Sequence, residues 1–293
     1  AFGRLSSRPS FDSDTTPTLQ TWSNGSAGQK TFTQELQVLS AVDSKINWIL
    51  GGFYLFDKAY YTNNFTGASF PTGSAPLVYQ VTDSISGFAQ ATAEIMPKTR
   101  LTIGLRYTTD KRRFNGTLRQ PPAVIGPFKD STTFNSLTGR FALDYKVTDD
   151  VMVYAAYNRG FKSGVYNLPG LNARSTAAPP PVLPEDLNAY SAGFKAEFWD
   201  RRARLNAEAY YYDFKNIQVS NIVAGATLLT NAGAAHIKGF DVDFTVVPVQ
   251  NLTLVAALAI AHGRYTSFPN GPTFFPQPPN AQLPIPKGCA FTT

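Results

Sequence analysis

The sequence predicts an all-β chain, an antiparallel up-and-down β-barrel wall of the membrane-spanning kind. Three observations predict it. Segments of about 10–14 residues alternate apolar and polar side chains with a period of two. They come in pairs joined by turns of about four residues, and long polar connections separate the pairs. The long connections all fall at one end of the pattern, as in an outer-membrane barrel with short turns on one side and long loops on the other.

The segments read in order as follows. Ile46 to Phe56 is apolar on both faces and its orientation stays open. Arg100 to Asp110 is the cleanest: Leu101, Ile103, Leu105 and Tyr107 share one face, against Thr102, Gly104, Arg106 and Thr108. Asn135 to Val147 sets Leu137, Phe141, Leu143 and Tyr145 against Ser136, Thr138, Arg140 and Asp144. Tyr190, Ala192, Phe194 and Phe198 oppose Ser191, Gly193, Lys195 and Glu197. In His236 to Val247, Phe240, Val242, Phe244 and Val246 oppose Gly239, Asp241, Asp243 and Thr245. About ten strands result. Phe244 to Gly263 is uncharged over a length that a membrane helix needs, but Pro248 and Gln250-Asn251 break it, so it reads as strand, turn, strand.

Short turns fall at Val42–Lys45, Met96–Thr99, Val147–Asp150, Trp199–Arg202 and Pro248–Asn251, at intervals of roughly 50 residues. Polar loops rich in Gly, Pro, Asn, Ser and Tyr are expected at 58–83, 111–132, 161–187, 215–231 and 266–293. A soluble propeller blade shares the period but needs four short strands per repeat, where this pattern carries two long ones. Tyr54, Phe56, Tyr107, Tyr145, Tyr157 and Phe198 sit near strand ends, as interfacial aromatic girdles do.

Composition agrees. Only 16% of the 293 residues are charged, with a mean hydropathy of −0.16. A disordered polyelectrolyte would carry more charge, and a helical membrane protein would be far more apolar. The net charge is +6, but Lys111-Arg112-Arg113 and Arg201-Arg202-Ala203-Arg204 are isolated groups in turns and loops, so no nucleic-acid partner is expected. One cysteine, Cys289, makes no internal disulfide, and two histidines, His236 and His262, cannot build a Cys/His metal cluster. No nucleophile motif or phosphate-binding glycine loop is present, so no enzyme activity and no cofactor are expected. Asn64-Phe-Thr66 and Asn115-Gly-Thr117 match the glycosylation pattern, which turn chemistry also produces. The chain opens Ala1-Phe2-Gly3-Arg4 without Met or a signal-peptide pattern, so a longer precursor is expected.

Local segments carry a family resemblance. Phe32-Thr-Gln-Glu-Leu-Gln-Val-Leu-Ser40 followed by Trp48-Ile-Leu-Gly-Gly-Phe-Tyr54 resembles a hairpin of the TonB-dependent outer-membrane receptors. Phe88-Ala-Gln-Ala-Thr92 with Leu101 to Asp110 does so too, and Val153-Tyr-Ala-Ala-Tyr-Asn-Arg-Gly-Phe-Lys-Ser-Gly-Val-Tyr-Asn167 resembles the family's most characteristic barrel segment. Pro184-Glu185, Tyr190 to Lys195, Tyr211 to Gln218, Asn231-Ala-Gly233, Lys238-Gly-Phe240 and Tyr265 continue the pattern in order, over roughly residues 30–268. The resemblance implies an internal part of a 22-strand barrel, with residues 1–293 as one partial barrel domain; the plug, the TonB-contacting box and the closing strands are not seen. It also implies an outer-membrane active-transport receptor of a Gram-negative bacterium. Its partners would be outer-membrane lipid, TonB through the plug, and a small-molecule cargo: a ferric siderophore, cobalamin or an oligosaccharide. A passive porin-type barrel is the alternative, with a soluble propeller further behind.

Candidate site residues follow from strand faces. Arg106 and Arg140 are expected near mid-height on the lumen side, with Asp144, Lys195, Glu197, Asp241 and Asp243 nearer the short turns. The resemblance assigns such residues mainly to the wall against the plug, with direct cargo contact second. Arg159 and Lys162 are expected at the outer rim, gating a loop or anchoring it. Tyr60, Tyr61 and Asn63, with Asn64 and Phe65, form an aromatic–polar cluster in the first long loop, suited to ligand stacking or to packing loops together. His236 and His262 are read as wall or girdle residues.

Overall fold

The computed structural model describes residues 1–12, 22–41, 44–67, 70–168, 176–223, 226–268, 273–276 and 289–292. Among them the strands are β1 (Phe2–Ser7), β2 (Ser10–Asp12), β3 (Trp22–Leu39), β4 (Ile46–Gly67), β5 (Phe70–Met96), β6 (Thr99–Gln120), β7 (Ala123–Lys146) and β8 (Val151–Lys162). Then come β9 (Glu185–Phe198), β10 (Ala203–Lys215), β11 (Gln218–Val223), β12 (Ala226–Asn231), β13 (Ala234–Val249), β14 (Leu252–Ser267), β15 (Thr273–Pro276) and β16 (Cys289–Thr292). Twelve strands form one antiparallel sheet in the order β1-β3-β4-β5-β6-β7-β8-β9-β10-β13-β14, with β2 also on β3. The sheet is open, and β1 and β14 are its edges. The β11–β12 and β15–β16 pairs stand apart as two-stranded sheets.

The short turns lie where the sequence puts them. Met96 and Thr99, Lys146 and Val151, Phe198 and Ala203, and Val249 and Leu252 flank four of them. Lys98 and Asn251 reverse the chain with φ of 66° and 67°, and Trp199, Asp200 and Arg201 do so in succession with φ of 57°, 52° and 61°. The strand–turn–strand reading of Phe244 to Gly263 is what the structure has. Of the Val42–Lys45 turn, Val42 and Asp43 lie outside the described residues, as does Pro269-Asn270-Gly271-Pro272.

Two of the expected loops continue the main sheet as strands, and those at 215–231 and 266–293 contain the separate β11–β12 and β15–β16 pairs. The ladder between β4 and β5 continues from Ile46↔Ala93 to Gly67↔Phe70, and that between β6 and β7 from Thr99↔Tyr145 to Gln120↔Ala123. Local Gly, Asn and Pro content favours a loop, but the ladders run on through these segments with only local register shifts, and pairing overrides composition. The strand count rises from about ten to twelve because β1 and β2 precede the first expected hairpin. At 27 residues β5 extends about 90 Å, where about 10 tilted residues cross a bilayer.

The exposure pattern is inside out. Between Gln80 and Ser86 on β5, and at Thr108 and Asp110 on β6, the buried side chains are polar: Gln80, Thr82, Ser84, Ser86, Thr108 and Asp110. Ile85, Ile103, Leu105 and Tyr107, on the opposite face of the same strands, are 47–63% exposed. Pairing carries this outer face round the sheet: Leu36, Val38, Trp48 and Leu50 on one side, and Leu137, Phe141, Leu143, Phe194 and Phe240 on the other. Ile46 to Phe56, ambiguous in sequence, places Trp48, Leu50, Tyr54 and Phe56 outward through their partners Ala91, Ala89, Ile85 and Asp83. Tyr157, Tyr190 and Tyr211 are successive outward neighbours, with ring centroids 5.1 and 6.4 Å apart. This is an aromatic row of the kind that sits at a lipid–water boundary.

Candidate functional site: the inner wall and its mouth

The inner face begins, at the turn end, with charged pairs. Asp144 lies 3.4 Å from Arg100, and Glu197 is held by Arg204 at 3.1 Å and Arg201 at 3.6 Å. Lys195 stands 5.8 Å over the Tyr154 ring, whose hydroxyl donates to Glu208 at 2.7 Å. Asp241 and Asp243 pair across the sheet with Glu208 and Asn206, so they join this group. Glu208 was not singled out in the sequence; the alternation of Ala203 to Lys215 carries the signal, placing it on the face of Asn206.

Higher on the wall, Arg106 lies between two rings, 5.3 Å from Phe53 and 5.4 Å from Phe88. A guanidinium there gains cation–π attraction while keeping donors for a partner on the inner side. Arg140 is on the same face, opposite Gly104 and Asn158, and is exposed. Above them Asp57 accepts from Gln29 and Thr31, and Arg112 donates to Thr82 at 2.9 Å. The Nε of Arg112 and the hydroxyl of Ser86 have no partner among the described residues.

At the top the inner face turns apolar. Val78, Phe114 and Tyr166 form a buried cluster, with Phe128, Leu168 and Ala178 against it. Tyr166 belongs to the β8–β9 connection, whose described parts, 163–168 and 176–184, lie across this face as a strap. Its backbone N–H donates to Gln80 and its hydroxyl to Asp130, both at 2.9 Å. Burial, then that hydrogen bond, push the Tyr166 phenol well above its ordinary pKa. The next residue, Asn167, bonds both backbone groups of Leu229 on β12, at 2.7 and 2.8 Å. Gln218 donates to the carbonyls of Ser163 and Leu183, and Asn231 to those of Leu183 and Asn216. The strap therefore ties the long β5–β7 hairpins to the β11–β12 hairpin.

The rim candidates separate. Tyr61 and Asn63 face inward, Asn63 accepting from Ser23 at 2.8 Å, whereas Tyr60 faces outward beside Tyr79. They stand on a strand, where neighbours in sequence point to opposite faces, so Tyr60 does not join the other two. Arg159 also faces outward, 3.7 Å from Asp186, while Lys162 ends β8 opposite Glu185 on the inner face. His236 lies on the outer face 3.1 Å from Asp213. Cys289 lies in β16, opposite Pro276 of β15.

Comparison with known proteins agrees with this architecture. The family model described as "TonB dependent receptor-like, beta-barrel" matches residues 1–287. The pesticin receptor of Yersinia enterocolitica is 26% identical over 172 residues, 56% of this chain and 24% of its own length. The metal-pseudopaline receptor CntO of Pseudomonas aeruginosa is 24% identical over 203 residues, 68% of this chain and 27% of its own. The chain thus spans about a quarter of the length of the curated relatives it matches. Among solved structures, the ferric yersiniabactin uptake receptor FyuA of Yersinia pestis superposes with a TM-score of 0.75 at 17% identity, over 90% of this chain and 40% of that one. The copper transporter OprC does so with a TM-score of 0.70 at 16% identity, over 91% and 43%. With nearly its whole length matched, the chain belongs to the TonB-dependent receptors, within their β-barrel.

Proposed function

We propose that the chain is part of the barrel wall of an outer-membrane receptor that imports a small chelated nutrient, a metal–siderophore complex foremost, with energy delivered through TonB. The observation that carries this reading is the inside-out sheet, with apolar side chains outward and polar, charged ones inward. Such a wall is stable only between lipid and a polar interior. The remaining strands and the plug would come from chain beyond this sequence. The open edges β1 and β14 support that, because unpaired strand backbone is not tolerated in lipid. The relatives' names, with their siderophore and metal cargo, support the cargo class.

The mechanism is binding and gated passage without covalent chemistry. Cargo would meet Tyr61 and Asn63 near the mouth. Arg106 and Arg140 lower down would face the plug or an anionic chelate. In a strain lacking the gene, uptake of iron-loaded siderophores is expected to fall and to return with the intact gene. Removing TonB, or collapsing the proton gradient, is expected to abolish the restored uptake. Uptake that persists without TonB would support passive diffusion and defeat the proposal.

A further inference from the structure

The outer face carries a charge pattern that cargo transport does not use. Arg4, Lys30 and Lys58 are direct cross-strand neighbours on β1, β3 and β4, and Arg113 lies on the same row on β6, beyond Val81. Lys111 sits one step below this row and Lys129 one step above it. All six are exposed. One outward carboxylate among the described residues shares the patch: Asp83, which pairs with Arg113 and accepts from Tyr54. Among the described residues no acidic side chain pairs with Arg4, Lys30 or Lys58. Like charges directly opposite across strands repel, so the row costs the sheet stability when nothing neutralises it.

Its position says what neutralises it. Immediately below Arg4, Lys30 and Lys58 lies an outward row of Phe2, Phe32 and Phe56, and below that the exposed apolar band begins. Successive outward positions along a strand are about 7 Å apart. The cations therefore stand where a membrane's headgroups follow its hydrocarbon. A depression of about 830 Å³ opens among Lys58, Tyr79, Arg113, Lys129, Asp130 and Ser131, where the inward-facing Asp130 is engaged by the Tyr166 hydroxyl. Farther round, the outward Arg159 has an acidic neighbour, Asp186.

We propose that Arg4, Lys30, Lys58 and Arg113 form a binding site for a phosphate-bearing lipid headgroup of the outer leaflet. The inference rests on the outer-membrane reading above. Its test uses the full-length receptor in detergent, with diphosphorylated lipid A as the probe and tryptophan quenching or native mass spectrometry as the readout. Binding is expected to fall at least about tenfold in the Lys30→Gln/Lys58→Gln/Arg113→Gln variant, and by a similar factor for lipid A stripped of its phosphates. Lys146→Gln/Arg201→Gln, at the opposite end of the strands, is expected to bind as the parent does. Heat-modifiable migration on gels verifies that each variant is folded. Unchanged binding in the triple variant, indifference to dephosphorylation, or equal loss in the turn-end control would overturn the proposal. Full competition by inorganic phosphate, or tighter binding of an acidic polysaccharide, would overturn the lipid assignment. A receptor that reaches the outer membrane and imports cargo but ignores lipid A overturns this site alone. One that never reaches the membrane overturns the underlying reading.

Discussion

Four aromatic rings on this wall cover a glycine directly across the strand pair: Tyr60 over Gly28, Phe88 over Gly51, Tyr154 over Gly193 and Tyr210 over Gly239. A ring in that place shields backbone that a glycine leaves open and pins the register. At Gly193 a Cβ would come 2.3 Å from the Ala207 carbonyl oxygen and 2.7 Å from the Tyr154 hydroxyl. Gly193→Ala is therefore expected to displace the ring and destabilise the folded receptor by about 1–3 kcal/mol. Tyr154→Phe keeps the ring and loses only the bond to Glu208, about 1 kcal/mol. Urea unfolding followed by gel migration orders the two; a larger loss for Tyr154→Phe would contradict this account. Single side chains were legible in the sequence where alternation alone decides their face, as for Arg106 and Asp144. Tyr60 is not legible in this way, because its Tyr- and Asn-rich surroundings resemble a loop, where neighbours share a surface, whereas it stands on β4. The ring–glycine pairs were not legible, since each depends on the register between two strands.

The β8–β9 strap is the element on which the mouth depends. Gly164 allows its close approach: a Cβ there would stand 2.3 Å from the Phe134 ring and 2.5 Å from the Val182 carbonyl oxygen. Tyr166 is 1% exposed, and replacing a ring so buried by alanine removes about 3–5 kcal/mol of packing. Tyr166→Ala is expected to speed hydrogen exchange at 163–168 and 176–183 at least about tenfold while β5, β6 and β7 below the mouth keep their protection. Equal loosening of those strands would mean that the strap and the wall are one cooperative unit. The sequence announces the strap's start in Arg159 to Asn167 but not what it touches. Tyr166 meets Gln80 across 86 residues, and Asn167 meets Leu229 across 62. The short turns were legible for the opposite reason: they depend on a few local residues, and three of the turns have positive backbone φ, at Lys98, Trp199–Arg201 and Asn251.

For the molecule as a whole, the apolar band on the outer face defines a slab. On β6 it runs from Leu101 to Tyr107 and ends where Lys111 and Arg113 begin, close to the length of strand that crosses hydrocarbon. Leu105→Arg, near its middle, is expected to cost about 2–4 kcal/mol, and Thr102→Arg on the polar face much less. Refolding yields into lipid vesicles measure the difference, and equal losses would argue against a lipid-facing band. The low charge and near-neutral mean hydropathy of the sequence follow from this arrangement, because lipid takes one face and a polar interior the other. The extent of the strands beyond the slab was hidden, since hairpins projecting into water carry the same Gly, Asn and Tyr as loops. The central claim is the alternation itself. Nitroxide labels placed one at a time from position 101 to position 110, in a cysteine-free full-length receptor in lipid, test it through collision rates with oxygen and with a water-soluble nickel complex. Oxygen contact peaking at 101, 103, 105 and 107, with nickel contact favoured between them, is the predicted result; a flat profile, or nickel contact at the odd positions, would contradict the wall described here.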